Sequence, residues 1–112
     1  NQGNDITYAD SATLGASFTI NKSGIYSVSY SCSFAAAAFF GLSLNSSQLS
    51  TDVTTIAIAD RLAVALASSA GNWPANLAWT GYLSAGSVLR PHNQGLQGNG
   101  SVDALFTITR VA

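Results

Sequence analysis

Three observations predict an all-β fold built from short antiparallel strands in a sandwich or barrel. The first is the stretch GIYSVSYSCSF, Gly24 to Phe34, in which Tyr26, Val28, Tyr30, Cys32 and Phe34 share one parity and four serines share the other. Strict period-two alternation sends large apolar side chains to one face of a strand and small hydroxyls to the opposite face. The second is that weaker alternation of the same kind recurs along the chain, at Leu77–Leu83 and Ala104–Val111 among others. The third is the spacing of Gly, Asn, Pro and Ser clusters, which mark turns at intervals of about ten residues. The long serine-striped strand reads as the central strand of a sheet, with neighbours on both sides.

Taken in order, residues 1–11 are polar and rich in turn formers, and read as a loose arm or junction. Thr13 to Ile20 is a strand with Leu14, Ala16, Phe18 and Ile20 on one parity, and Asn21-Lys22-Ser23-Gly24 turns the chain into the central strand. Ala35 to Phe40 reads as a strand-to-strand connection, and Gly41 to Asn45 resumes alternation through Leu42 and Leu44. Ile56, Ile58, Leu62, Val64 and Leu66 share parity, which predicts strands broken near Asp60-Arg61, against the helix that Ile58, Leu62 and Leu66 alone would allow. Ser68 to Pro74 is a loop carrying Trp73. Leu77, Trp79, Gly81 and Leu83 alternate, Ala85-Gly86 is a tight turn, and Arg90, Pro91 and His92 lead into a glycine-rich loop ending at Gly100. The closing strand is Val102 to Val111. There is no internal repeat, and residues 1–112 read as one domain.

Charge is the unusual property. Only 8% of residues are charged while 47% are hydrophobic, and the net charge is −1, against about 25% charged residues in an ordinary soluble domain. Such a chain is expected to bury much of its surface in an oligomer. The competing account is a Ser/Thr/Asn exterior that hydrates itself without charge. The absence of a basic cluster argues against nucleic acid as a partner. No stretch has the length of apolar sequence that spans a membrane as a helix, and no secretory leader is evident, so the chain reads as a processed chain or an excised domain. The lone Cys32 falls on the apolar parity and reads as a small buried hydrophobe.

Motifs for chemistry are weak. The one histidine, His92, sits among many serines, so any Ser-His-Asp grouping with Asp103 has no specificity, and no enzymatic role is expected. Asp52, Asp60 and Asp103 are isolated, without the acidic ladder of a calcium loop or the Cys/His pairs of a zinc site, so neither metal nor cofactor is expected. Gly95, Gly98 and Gly100 lack the Lys-Ser/Thr that completes a phosphate loop and read as a hairpin. Sequons occur at Asn21, Asn45 and Asn99, at about the frequency this composition produces by chance. Phe18, Tyr26, Tyr30, Trp79, Tyr82 and Phe106 are the candidate core or interface residues. Trp73, Arg90 and His92 are the candidate surface contacts, since an exposed loop Trp stacks on sugars or anchors proteins; a Trp73 folded back over the sandwich edge is the structural alternative.

The pattern Phe18 followed by GIYSVSY (Gly24 to Tyr30) resembles the aromatic-glycine-tyrosine signature of complement-q and tumour-necrosis-factor-like heads. LSLN (Leu42 to Asn45), YLSAGSVLR (Tyr82 to Arg90) and ALFTITRV (Ala104 to Val111) are similar to later strands of that family. Ser87 replaces the family's acidic residue after the turn glycine, Val28 stands where an aromatic is commoner, and calcium-binding clusters have no counterpart. The resemblance implies a two-sheet antiparallel jelly roll of about ten strands forming a homotrimer. It also implies that Gly24–Phe34, Leu77–Leu83 and Ala104–Val111 share the sheet nearest the threefold axis. Composition without Glu, Met or a disulfide is closer in style to virion heads. The functional expectation is therefore a non-enzymatic capsid decoration or cement. The alternatives are a fibre tip that binds host glycan or protein, and a secreted cytokine-like ligand.

Overall fold

The computed structural model describes residues 3–10, 15–33, 37–46, 52–67, 74–94 and 105–112. Among these residues there are eight strands, where the resemblance implies about ten: β1 (Ile6–Ala9), β2 (Ser17–Ile20), β3 (Gly24–Ser33), β4 (Ala38–Leu44), β5 (Arg61–Ala67), β6 (Pro74–Leu83), β7 (Val88–Asn93) and β8 (Leu105–Arg110). They form a five-stranded sheet, β1-β2-β7-β4-β5, and a three-stranded sheet, β6-β3-β8; all pairings are antiparallel. As the sequence predicts, β3 is central: it pairs β6 along its full length and β8 on its other side.

The two sheets face each other across one core. Tyr26, Val28, Tyr30 and Cys32 of β3 are buried and point inward, with Leu77 and Leu83 of β6. Phe40 and Leu42 of β4 and Leu89 of β7 meet them from the larger sheet. The Tyr30 ring packs edge-on against Phe40 with centroids 5.4 Å apart, and Phe18 of β2 stacks on Phe106 of β8 at 4.5 Å. Trp79 lies flat over Gly81, two residues on along the same face, where any Cβ would collide with the indole. Glycine there is what lets a tryptophan fit an alternating strand.

Several sequence expectations need correction. Residues Ile6–Ala9 are not a loose arm: they form an edge strand that pairs β2 from Ile6↔Ile20 to Ala9↔Ser17. Their outer position leaves only Ile6 half-buried, so hydrophobic patterning barely marks them. Ala38, Phe39 and Phe40 belong to β4 rather than to a connection. Ile56 caps the end of a short 3-10 turn, Val53–Thr55, and Ile58 opens a second, Ile58–Asp60, where it is 80% exposed. In β5 Leu62 packs against the core as expected, but from there on the inward parity reverses, with Val64 and Leu66 outward and Ala63, Ala65 and Ala67 inward. The cause is a bulge: Leu42 pairs Ala63 but Ser43 pairs Arg61, leaving Leu62 without a partner and shifting the alternation by one residue. Of the predicted loops, residues 68–73 and 95–100 lie outside the described residues, while Pro74, expected in the first, opens β6.

Arg90 and His92, expected in a loop, are in β7, which pairs β2 and β4. Pro91 misled that reading, because proline is rare in inner strands. Here it is tolerated. The Asn45 N–H bonds the Val88 carbonyl, which fixes the hydrogen-bonded parity of β7 and turns the Pro91 nitrogen away from β4. On that other side, pairing with β2 reaches only Leu89.

The predicted Ala85-Gly86 turn is present. Gly86 has φ +90°, its N–H donates to the Ile20 carbonyl at 2.7 Å, and Ser87 N–H donates back to Ser84 O. Gly86→Ala forces a side chain into left-handed backbone and is expected to cost about 1 kcal/mol, read as a lower urea midpoint with an unchanged slope. Alkali provides a second test of the core. Burial holds the Tyr30 phenol above its ordinary value of 10.0, partly offset by a hydrogen bond with Asn93. The unfolded chain releases this proton near that ordinary value while the folded chain retains it, so stability falls as pH rises above about 10. Tyr26 shifts in the same direction, through burial and then the charge of Asp5, against an opposing effect of Arg110. Tyr30→Phe should flatten part of the loss above about pH 10 in urea titrations.

Candidate functional site

The most distinctive surface is the outer face of the three-stranded sheet. β3, β6 and β8 together carry one charged residue, Arg110, and it lies on the inward parity beside Phe106 and Ile108. The outward positions are small and uncharged: Ser27 opposes Thr80 and Thr109, and Ser29 opposes Ala78 and Thr107. Hydroxyl and amide groups bridge the strands, with Ser29 Oγ donating to Asn76 Oδ1 at 3.2 Å. At one end of this face Tyr82, 62% exposed, pairs Ile25, which is hydrogen-bonded to Val111. At the other end Leu105, also 62% exposed, stands beside Ser31. The result is a hydroxyl-rich centre of small side chains between apolar ends.

The expected core and interface residues divide by face. Tyr26 is fully buried and Tyr30 is 6% exposed, both covered by the chain itself. The Tyr26 hydroxyl donates to Lys22 O at 2.6 Å. Phe18, Trp79 and Phe106 pack half-buried against the core, and Tyr82 alone of the six faces outward. Period-two parity identifies the small-residue outer face as readily as the core, but its serines and threonines attract no attention as site residues.

The expected surface contacts are placed differently. Arg90 is half-buried on β7, and His92, 4% exposed, shares a 2.7 Å hydrogen bond with Ser43 Oγ. Trp73 lies outside the described residues. Ser43 and His92 have the separation of a nucleophile and its base, yet both are buried on the outer side of the large sheet. The reason is a strap, residues 52–60, folded back over β4: Val53 and Ile56 are buried, and Val53 fills the space above Gly41, the register partner of His92. Asp52 begins the strap, accepting from Thr54 N–H and Oγ1, bonds that with Gln94 hold its carboxyl below the usual range. Arg61 ends it, donating to the carbonyls of Ile56 and Thr54. Sequence patterning places Ile56 in a strand and has no signal for a strap.

An open cleft of about 630 Å³ separates β1 and β2 from β8, walled by Ile6, Tyr8, Phe18, Phe106 and Ile108 and ended by Asp5 and Arg110. The last two are 3.8 Å apart, and Arg110 also donates to Ser23 O at 3.3 Å. No three His, Cys, Asp or Glu side chains converge as a metal set among the described residues. No helix there is long and apolar enough to cross a membrane. No protein-family model matches the sequence, and no curated protein matches it either.

The strap gives a prediction. Asp52→Ala removes its N-cap and should lower stability by about 1 kcal/mol. The same variant should speed exchange of the Thr54 amide, as read by hydrogen exchange, while the amides of β3 remain slow.

Proposed function

We propose that the chain is a non-catalytic, self-associating jelly-roll head of the complement-q and tumour-necrosis-factor-like kind, acting as a homotrimeric structural module on a virion surface. The observation that carries this is the outer face of the three-stranded sheet. An exposed sheet surface without a charge, small at its centre and apolar at its ends, is suited to close packing against copies of itself. The strand order supports the family reading, because the three strands assigned to the inner sheet are the three that pair as β6-β3-β8. Function on this reading is geometric: copies bury this outer face around an axis and present their other surfaces several times over, which gives multivalent grip on a larger shell.

A fibre tip or a cytokine-like ligand would use exposed contact loops. Of the three residues that suggested one, Arg90 and His92 lie in a strand and His92 is buried, so the assembly reading is favoured.

Ser29→Lys and Thr107→Lys each place an ammonium at the centre of the outer face without touching the core. Light scattering over a range of concentrations should give a mass of about three chains for the wild type and one chain for either variant, with unchanged circular dichroism. A wild-type monomer at every concentration, or variants that still form trimers, would refute the proposed interface.

A further inference from the structure

The sandwich is closed on one side and open on the other. β5 and β6 approach each other at the closed side, whereas β8 has a single neighbour, β3, among the described residues. Val111 N–H donates to Ile25 O and Ile25 N–H to Ala112 O, which sets the parity of the ladder. Leu105, Thr107 and Thr109 therefore turn their peptide groups toward β3, and Phe106, Ile108 and Arg110 turn theirs toward the free edge. The side chains of these same three residues line the cleft. One strip of β8 thus offers, side by side, a peptide ladder with no partner among the described residues and a groove that is aromatic and aliphatic along its walls and polar at its Asp5–Arg110 end.

We propose that β8 and the cleft form an acceptor slot for an extended peptide arm of another protein chain, which adds as a fourth strand to the three-stranded sheet. The arm lays alternate apolar side chains against Ile6, Tyr8 and Ile108, over the edge of the stacked Phe18 and Phe106 rings. The ladder selects this occupant, because only a peptide strand supplies N–H and C=O groups at the spacing that β8 presents. A second folded copy does not fit: its described strands already turn their apolar faces into their own core, so it meets β8 edge to edge and leaves the cleft unfilled. The volume, about 630 Å³, falls within the roughly 300–1,000 Å³ of ligand-binding clefts. Charge on the walls is confined to Asp5 and Arg110 at one end, so the arm is apolar along its middle and needs no net charge. The slot lies at an edge rather than on the outer face, and it does not depend on how many copies associate.

The probe is an acetylated seven-residue peptide of alternating threonine and valine, added at millimolar concentration to the full chain while amide exchange is followed by NMR. Alone, the chain should exchange the amides of Phe106, Ile108 and Arg110 faster than those of Thr107 and Thr109. The peptide should slow the first three by about tenfold or more, and a version N-methylated at alternate residues should not. Three results would each overturn the proposal. One is free-edge amides already as slow as Thr107 and Thr109 in the chain alone. Another is no slowing by the peptide, and the last is equal slowing by a glycine-serine peptide of the same length.

Discussion

The fold depends on β3 satisfying four constraints at once. Its backbone is paired on both edges and its two faces have opposite requirements. Inward, Tyr26, Val28, Tyr30 and Cys32 fill the space between the sheets, and a shift of one residue would exchange them for serines. Such a slip would bury hydroxyls without partners and expose two tyrosines, so the register of the whole small sheet is fixed from this strand. Its neighbours follow. Leu77 and Leu83 of β6 share the inward face because they sit opposite Tyr30 and Gly24, and Phe106 reaches its stacking partner Phe18 because β8 is aligned by Tyr30↔Phe106.

What was legible in the sequence was what alternation encodes directly. The central strand, the inward set of β6, the turn at Gly86 and the burial of Cys32 all follow from period two and from glycine chemistry. The misreadings occur where something other than apolar burial holds the backbone. β1 is secured by pairing with β2 and by Asn21, whose amide donates to Asn4 O and Thr7 Oγ1, so few apolar residues announce it. In β5 the pattern is present but the bulge at Leu62 reverses its meaning, and no local feature of RLAVALA reveals which residue lacks a partner. His92 looked like a loop residue because Pro91 precedes it. The free side of β7 that accommodates the proline exists only because β2 is short. The outer face was legible too, as the serine stripe of β3, but its extent emerges only when Thr80, Ala78 and Thr107 are seen beside it.

The strap and the buried Ser43–His92 pair show how the large sheet handles its own outer face. Gly41, Ser43 and His92 are neighbours on that side, and none has an apolar side chain large enough to shed water alone. Folding residues 52–60 back over them supplies Val53 and Ile56 as cover, with Arg61 and Asp52 fixing the two ends through backbone hydrogen bonds. A hydroxyl and an imidazole can be buried there because each satisfies the other. The small sheet has no described segment of this kind over its outer face, and that contrast makes its uncharged surface informative.

Side-chain size also determines which edge of the sandwich stays open. Beyond Leu62 the inward residues of β5 are Ala63, Ala65 and Ala67, so the large sheet can approach β6 closely and seal that side. At the opposite side the inward residues are aromatic: Phe18 stacks on Phe106, and Tyr8 leans on Phe18 with ring centroids 5.2 Å apart. Rings of that size prop β1 and β2 away from β8 and keep a gap that two aromatic layers only partly fill. A sandwich with alanine at one edge and phenylalanine at the other is a wedge, closed where the side chains are small. The cleft is therefore a consequence of where the sequence puts its large residues, and the unpaired edge of β8 lies along it because the small sheet ends there, three strands beneath five.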